Sequence, residues 1–444
     1  ERAEARRQRR SAGRSLISAV PHIVAWNLTR RCNLACAHCY IAAGSWHAAG
    51  EELTTGDCHR IVDEILAVNP SPMLILSGGE PLLRDDLESI AARASAGGAT
   101  VVVGTNGTRL TDARIASLMN AGVQGVAVSV DSLDPVYHDR FRHGAGALSD
   151  TLAAVERLGD NRLDLVLQTT VTHGNRAEIG RLASLAADSG AVAFNVYFVV
   201  ATGRAGTMKG MSTSENDDVL AELAALEHDY RGRMLVRSKC QPQIMRHVYD
   251  SDPESPLLNY ATRCPCGVQY CRITPDGKVT PCPYMEVVAG DLSAQSFGEI
   301  WRDSSVFKDL RTGELGGKCG RCGYREICGG CRARAYAETG DYLGPDRSCG
   351  YEPDGVESPV TRTREITYGT STQTELEWSP EAAERVARIP SFVRSVVTHR
   401  VEAFAADHGH DRVTTALLDE VRSQMPIDFS RRRPFFARDP RGEE

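Results

Sequence analysis

The chain has 444 residues, 42% hydrophobic and 25% charged, an ordinary balance for a globular protein long enough for two or three domains. A formal net charge of −7 gives no reason to expect nucleic acid as a partner, and no apolar run approaches the roughly 20 residues that span a bilayer. The fourteen cysteines are clustered rather than dispersed, which points to metal binding in a reducing cytoplasm rather than to disulfides.

Residues 1–22 read as a solvated basic arm, Arg-rich as far as Arg14. From Ile23 onward, short apolar runs alternate with helical spacing. Ile23 to Leu28 reads as a first strand. Thr54-Thr-Gly-Asp57 resembles a capping box, with Asp in the Glu role, ahead of Ile61, Val62, Ile65 and Leu66 at helical spacing. Met73 to Leu76, Thr100 to Val103, Gly125 to Val130, Leu165 to Val171 and Phe194 to Val200 read as further strands. Arg84 to Ala96, Asp112 to Ala121, Leu148 to Leu158 and Ala177 to Asp188 read as helices between them. This alternation predicts an α/β fold built from parallel βα units. The strands alone do not separate an open sheet from a barrel, but both place functional loops at the strands' carboxyl ends.

The first strand leads into Cys32-x3-Cys36-x2-Cys39. Three thiolates can hold a four-iron cluster and leave one iron without a protein ligand, as catalytic zinc sites keep one position open. A zinc knuckle completed by His38 or His47 is the alternative. Ser77-Gly-Gly-Glu-Pro81 follows the second strand. Its glycines let backbone approach a ligand with N–H groups free, and Glu80 is placed to accept from a ligand ammonium. Thr105-Asn-Gly107 and Ser129-Val-Asp131 follow the next two strands, so these loops are expected on one face.

The cysteine triad and the Gly-Gly-Glu-Pro loop together resemble the radical S-adenosylmethionine (SAM) superfamily over about residues 23–206. The resemblance implies a partial (β/α)6 barrel as the core, residues 23–235. It implies a [4Fe-4S] cluster on Cys32, Cys36 and Cys39, whose open iron takes the amine and carboxylate of SAM. It further implies that Gly78, Gly79 and Glu80 hold the methionyl group and that His38 lies beside the adenine. Asn106, Ser129 and Asp131 would fall near the ribose, and Arg204, in Gly203-Arg-Ala205, would face SAM.

A second cysteine region reads Cys264-x-Cys266-x4-Cys271-x10-Cys282, then Cys319-x2-Cys322-x5-Cys328-x2-Cys331, then Cys349. It resembles the SPASM extension, over residues 236–352, which carries auxiliary iron–sulfur clusters. One or two such clusters are implied. One would use Cys266, Cys271, Cys282 and Cys331, the other Cys319, Cys322, Cys328 and Cys349, with Cys264 or Cys266 as the spare thiol. A zinc ribbon on Cys319, Cys322, Cys328 and Cys331 is the alternative. Cys58 and Cys240 read as ordinary buried thiols.

Residues 353–377 look like a linker. Residues 378–426 read as a small helical module, with Ser379 as N-cap, Pro380 at the first helical position, an apolar stripe from Val386 to Val397 and more helix from Val401 to Met425. This module resembles the C-terminal module of a dark-operative protochlorophyllide reductase subunit. Residues 427–444 form a basic tail. Val24 to Leu34 and Gly317 to Tyr336 resemble the haem-modifying branch of the radical SAM family. The resemblances imply a cytoplasmic enzyme that generates a 5′-deoxyadenosyl radical and modifies a tetrapyrrole side chain, by oxidative decarboxylation or removal of propionates. An electron donor such as flavodoxin or ferredoxin is implied. Arg263, Arg272, Arg332 and Arg334 are candidates for porphyrin carboxylates. The alternative is a peptide maturase forming a thioether or carbon–carbon crosslink.

Overall fold

A computed structural model describes residues 20–47, 52–159, 163–231, 233–259, 263–355, 358–360, 376–387 and 391–423. The expected strands form, as β1 (Ile23–Asn27), β2 (Met73–Ser77), β3 (Thr100–Thr105), β4 (Val123–Ser129), β5 (Asp164–Val171) and β6 (Ala193–Phe198), each parallel to the next. The sheet then grows at both edges. β7 (Leu235–Lys239) joins β6, and β8 (Tyr270–Ile273) joins β1, both in parallel. β9 (Lys278–Thr280) and β10 (Gly290–Asp291) extend the β8 edge with antiparallel pairing. The result is one ten-stranded sheet, ordered β10-β9-β8-β1-β2-β3-β4-β5-β6-β7, open between its ends as a partial barrel requires. The second cysteine region is therefore hydrogen-bonded directly onto the first strand of the core.

The two-residue period of a strand assigns every side chain to a face. Val24, Trp26, Leu74, Leu76, Val101, Val103, Leu165, Leu167, Phe194 and Val196 point to the helix-covered side and join the main hydrophobic core. On the opposite face, Ile23, Met73, Ile75, Val102, Ala127, Val166 and Ala193 make a smaller apolar plug near the amino ends. Continuing the same parity toward the carboxyl ends gives Asn27, Ser77, Ser129, Gln168, Asn195, Tyr197, Lys239 and Arg272. The inner face thus changes from apolar to polar along the strands, which marks where a ligand would lie.

Helix boundaries follow their caps. Thr54 accepts from the Asp57 amide at 3.1 Å and opens the helix Thr55–Val68. The expected helix from Arg84 starts only at Leu87. Arg84 is extended instead, with its guanidinium donating to the Leu28 carbonyl at 2.9 Å and to the Asp86 carboxylate at 2.7 and 2.8 Å. Helices Pro135–Arg142 and Thr213–Tyr230 were not singled out by their periodicity.

The C-terminal module holds helices Pro380–Ala387, Ser391–Asp407 and Thr415–Ser423 around Ala382, Val386, Val401, Ala405, Leu417 and Val421. Ser379 caps the first by accepting from the Ala382 amide at 3.2 Å. The stretch from Val401 is not one continuous helix: Gly409, at φ 72°, breaks it, and Arg412–Val413 pairs in parallel with Glu377–Trp378. Most of the basic arm, residues 361–375 of the linker, Ile389, Pro390, Met425 and the basic tail lie outside the described residues. Among the described residues no helix is long and apolar enough to cross a membrane.

Candidate active site

The loop after β1 brings Cys32, Cys36 and Cys39 into one small cluster with Leu34, Tyr40, Ile41 and Ala43. The Leu34 amide donates to Cys32 Sγ at 3.4 Å and the Ala43 amide to Cys39 Sγ at 3.3 Å, the contacts that stabilise thiolate sulfur. Burial pushes the Cys32 thiol up to about 12 and raises Cys36, so an unliganded thiolate is disfavoured here. Iron supplies the positive charge that offsets this cost, and metal binding displaces the thiol protons. A sulfur-only donor set of three, with backbone amides aimed at two of them, fits an iron–sulfur group. Among the described residues no three His, Cys, Asp or Glu side chains are arranged to hold a single metal ion.

The glycine loop does something the sequence did not suggest. The Gly79 and Glu80 amides are not free: they donate to the Thr29 carbonyl at 2.7 Å and the Arg31 carbonyl at 2.9 Å. A Cβ on Gly79 would lie 2.3 Å from the Arg31 oxygen, and one on Gly78, at φ 150°, 2.5 Å from the Thr29 oxygen. The glycines are needed because this loop is laced to the segment that enters the cysteine loop. Glu80 is fully buried and its carboxylate is also taken. It accepts from the Leu82 amide at 3.1 Å, the Thr105 hydroxyl at 2.8 Å and the Asn106 amide at 2.9 Å. Glu80 therefore ties the loops after β2 and β3 together. Asn106 passes the tie onward, donating to the Asn33 side chain at 2.9 Å, next to Cys32.

On the other side, Asp131 is buried in a pair with Arg142, with Nη2 and Nε at 2.7 and 2.8 Å from Oδ2. The Thr170 amide adds a third donor at 2.8 Å. The Arg142 charge and these donors outweigh burial and keep the Asp131 carboxyl below its ordinary range. His38 Nε2 sits 4.0 Å from the same carboxylate, and its ring stacks on Phe141 at 4.5 Å. Burial lowers His38 to about 4, so the ring is neutral near pH 7. Its Nδ1 is buried with no partner among the described residues, an orphan that a polar ligand would satisfy. The cysteine loop leans on the same helix, with the Ala35 and Ala37 amides donating to the Arg142 and Phe141 carbonyls. Ser129 lies at the carboxyl end of β4, partly exposed.

Arg204 closes the loop from the third side. Its Nε donates to the Cys36 carbonyl at 2.8 Å and its Nη1 to the Ala43 carbonyl at 2.7 Å, while its own amide reaches the Cys39 carbonyl at 3.0 Å. Sequence reasoning placed Arg204 toward SAM; the structure places it on the backbone of the cysteine loop.

The polar inner face continues from this loop toward the second cysteine region. Arg272 donates to the Asn27 side chain at 2.6 Å, Asn27 donates to the Tyr40 hydroxyl at 2.7 Å, and Tyr40 packs on Tyr284 at 5.2 Å. Burial raises the pKa of Tyr197, Tyr270 and Tyr284, and neighbouring tyrosines, Tyr40 among them, add to the shift in each. Lys239, at the end of β7, is lowered to about 7 by burial. Of the arginines proposed for carboxylates, Arg332 gives its Nη1 to the Tyr342 and Gly344 carbonyls and keeps a buried Nη2 without a partner among the described residues, and Arg334 donates to the Cys240 carbonyl and Gln241. Arg272 is the one on the inner face. Arg142, Tyr197, Tyr284 and Lys239 were missed; only strand parity, once the register is known, reveals Lys239 and Tyr197.

Cys266, Cys282 and Cys331 share a second cluster, with Cys240 and Cys264 packed against it. Cys264 and Cys266 Sγ are 3.2 Å apart. Cys271 is not with them, lying instead in the main core. Cys319 and Cys349 flank Cys328 closely enough to raise its pKa further above what burial alone gives. The Asp346 amide donates to Cys319 and the Gly330 amide to Cys328, each at 3.4 Å. These sulfur-rich sets have the donor chemistry of iron–sulfur sites.

Residues 26–186 match the family described as the Radical SAM superfamily, residues 264–332 an iron-sulfur cluster-binding domain, SPASM, and residues 378–422 the Proto-chlorophyllide reductase 57 kD subunit. The chain is 39% identical over 343 residues to the AdoMet-dependent heme synthase of Methanosarcina barkeri (strain Fusaro / DSM 804), covering 75% of this chain and 97% of that protein. It is 31% identical over 356 residues to the Pre-heme d1 synthase of Dinoroseobacter shibae (strain DSM 16493 / NCIMB 14021 / DFL 12), covering 74% of this chain and 85% of that one. Its fold is similar to that of Streptococcus suis SuiB bound to S-adenosylmethionine, with a TM-score of 0.59 at 14% identity, over 75% of this chain and 78% of that chain. The chain belongs to the radical SAM superfamily, in the SPASM-bearing branch that includes these heme and pre-heme d1 synthases. It is an enzyme of that class, which uses SAM with a [4Fe-4S] cluster and carries a further iron–sulfur domain.

Proposed function

We propose that the enzyme modifies a tetrapyrrole side chain in haem biosynthesis, by oxidative decarboxylation or removal of propionates, in the cytoplasm and with electrons from a donor such as flavodoxin or ferredoxin. The observation that carries this reading is 39% identity to an AdoMet-dependent heme synthase over 97% of that protein's length. The match of residues 378–422 to a Proto-chlorophyllide reductase subunit supports the same substrate class from an independent segment.

In this reading Cys32, Cys36 and Cys39 hold the [4Fe-4S] cluster. His38, Gly78, Gly79, Glu80, Asn106, Ser129, Asp131 and Arg204 shape the SAM site, several of them by fixing the cysteine loop rather than by touching SAM. Cys319, Cys322, Cys328 and Cys349 hold one auxiliary cluster, and Cys266, Cys282 and Cys331 contribute to another. When bound, SAM and its cluster supply a hydrogen-abstracting radical, and an auxiliary cluster supplies an acceptor for the one electron left when a propionate loses a hydrogen atom and carbon dioxide to become a vinyl group. The chain's own residues bind and orient. Arg272, held by Asn27 and lying 5.7 Å from the Tyr40 ring centroid, offers a fixed guanidinium to a carboxylate. Lys239 offers a second positive group across the inner face when protonated. Tyr40, Tyr197, Tyr270 and Tyr284 give a cluster of aromatic rings, Tyr40 and Tyr284 tilted at 56° to each other, that would exclude water from the reacting carbon.

Anaerobic incubation of the reconstituted enzyme with SAM, a reductant and iron-coproporphyrin, followed by mass spectrometry, tests this. The expected result is successive loss, for each propionate converted to vinyl, of carbon dioxide and two hydrogens, the abstracted atom and the carboxyl proton. Absence of any change across several tetrapyrroles, with turnover on a peptide, would reject it in favour of a peptide maturase.

A further inference from the structure

Cys240 is outside the cysteine pattern that spacing picks out, 24 residues before Cys264 by the numbering, and it read as an ordinary buried thiol. The structure treats it otherwise. Its backbone lies in the left-handed region, at φ 61°, one of only three non-glycine residues with positive φ among those described. Such a conformation is costly for a residue with a Cβ and persists only where the surroundings impose it. Here they do. Buried Arg334 donates to the Cys240 carbonyl at 2.8 Å and to the Gln241 side chain at 2.6 Å, and the Ser238 hydroxyl donates to the Gln241 carbonyl at 3.0 Å. Arg334 belongs to the helix Arg332–Thr339, which has Cys331 as its N-cap. The clamp thus fixes the turn at Cys240 against the segment that carries Cys331, and Cys240 packs against the cluster that holds Cys266, Cys282 and Cys331.

Cys271 shows the opposite. It pairs with Val24 on β8, between Tyr270 and Arg272. Tyr270 packs with the second cysteine cluster and Arg272 reaches Asn27, so strand parity turns Cys271 to the other face. There it is wholly buried in the main core with Val24, Ile273 and Phe307. No rotamer carries a side chain through a sheet.

We propose that Cys240, and not Cys271, completes the auxiliary iron–sulfur site formed with Cys266, Cys282 and Cys331. The set draws one thiol from the end of β7, two from around the β8–β9 hairpin and one from the start of the helix Arg332–Thr339. It therefore fastens the last parallel strand of the sheet to the added domain. Cys264, whose Sγ lies 3.2 Å from that of Cys266, packs against the same cluster, and the proposal assigns it as the fifth, spare thiol because four thiolates complete the site. The proposal rests on the reading that the second cysteine region holds auxiliary clusters.

The test uses the full chain, reconstituted anaerobically, as wild type and as Cys240→Ala, Cys264→Ala and Cys271→Ala. Iron and sulfide per chain, the electron paramagnetic resonance spectrum of the reduced protein, and circular dichroism are read for each. Cys240→Ala should lose up to about four irons per chain or keep them with an altered auxiliary signal, while its circular dichroism and the SAM-responsive signal of the Cys32/Cys36/Cys39 cluster persist. Cys264→Ala and Cys271→Ala should keep the wild-type iron content and spectra. Wild-type iron and spectra in Cys240→Ala, or loss of the auxiliary signal in a folded Cys271→Ala or Cys264→Ala, would overturn the assignment. If Cys240→Ala does not fold, retention of the spectrum by Cys240→Ser overturns the proposal, and an altered spectrum supports it, because oxygen in place of sulfur changes the cluster. A wild type with iron at the first triad alone would overturn the auxiliary-cluster reading together with this one.

Discussion

Arg204 and Cys36 lie 168 residues apart in the chain, yet the Arg204 guanidinium donates to the Cys36 carbonyl at 2.8 Å. With its second arm on the Ala43 carbonyl at 2.7 Å, one side chain spans the cysteine loop. The loop after the sixth strand thereby fixes the loop that follows the first strand. A loop this short of regular structure keeps three sulfurs in register only if its backbone carbonyls are held.

Arg204→Met should therefore impair the SAM site without touching a cysteine. Charge-assisted hydrogen bonds of this kind contribute about 1.5–3 kcal/mol, so SAM affinity should fall roughly ten- to hundredfold, with iron at the first cluster partly lost on gel filtration. Arg204→Lys should rescue poorly, because a single ammonium cannot reach two carbonyls in a fixed fork. Equilibrium dialysis with labelled SAM measures both. Unchanged affinity in Arg204→Met would show that the clamp is dispensable.

Gly79→Ala addresses the lacing of the glycine loop. The added Cβ would meet the Arg31 carbonyl oxygen at 2.3 Å and its carbon at 2.8 Å, both backbone atoms that cannot rotate away. Displacing Arg31 moves the start of the cysteine loop. We expect a loss of about 1–3 kcal/mol in stability, the range for overpacking, and a marked loss of iron at the first cluster. Gly206→Ala, where nothing lies within 4 Å of the added carbon, is the matched control and should be near neutral. Urea denaturation and iron assays on the pair report the difference.

Stability should fall in mild acid through His138. Its ring is buried, with Nδ1 accepting from the Asp131 amide at 3.3 Å. Burial first, and then the Arg142 charge, lower it to about 4, against an opposing pull from Asp131 and Asp139. In the unfolded chain the same ring titrates near 6.5. Between about pH 6.5 and 4 the unfolded state therefore binds the extra proton. The contribution is fully present above the unfolded value and is lost as pH falls through that window, with a slope of about 1 kcal/mol per pH unit. His138→Gln should flatten this part of the profile relative to wild type. Urea midpoints from pH 7 to 4.5 decide it; parallel profiles would remove His138 as the cause.

The sequence showed the six core strands and the loops at their carboxyl ends because burial on both faces makes each strand a short apolar run. β7 was illegible: Leu235-Val-Arg-Ser-Lys239 carries two cations, acceptable on an edge strand whose inner face is polar. Cysteine spacing proposes ligand candidates, but it cannot say which face of a strand a thiol occupies. Cys271 fits the spacing and faces the core, whereas Cys240 fits no spacing and faces the other sulfurs. Gly79 and Glu80 were read as ligand contacts; a one-dimensional pattern shows which groups are present, but not the hydrogen bonds to the Thr29 and Arg31 carbonyls and to Thr105 and Asn106 that these residues also make.

Arg272 gives the sharpest test of how a carboxylate-bearing substrate is held. It is buried, and its Nε is committed to Asn27 at 2.6 Å, which aims the rest of the guanidinium across the inner face. Removing it deletes a positive charge and also loosens the Asn27–Tyr40 contact of 2.7 Å. Two variants separate these effects. Arg272→Lys keeps the charge but loses the fork, while Asn27→Ala keeps the guanidinium but frees it. If Arg272 binds substrate carboxylate, Arg272→Gln should raise KM for iron-coproporphyrin about tenfold or more, equivalent to about 1.4 kcal/mol, and Arg272→Lys should recover part of that loss. SAM cleavage in the absence of substrate should be unchanged in both. A purely structural arginine would give the reverse: Arg272→Lys no better than Arg272→Gln, kcat and uncoupled cleavage falling together, and KM unmoved.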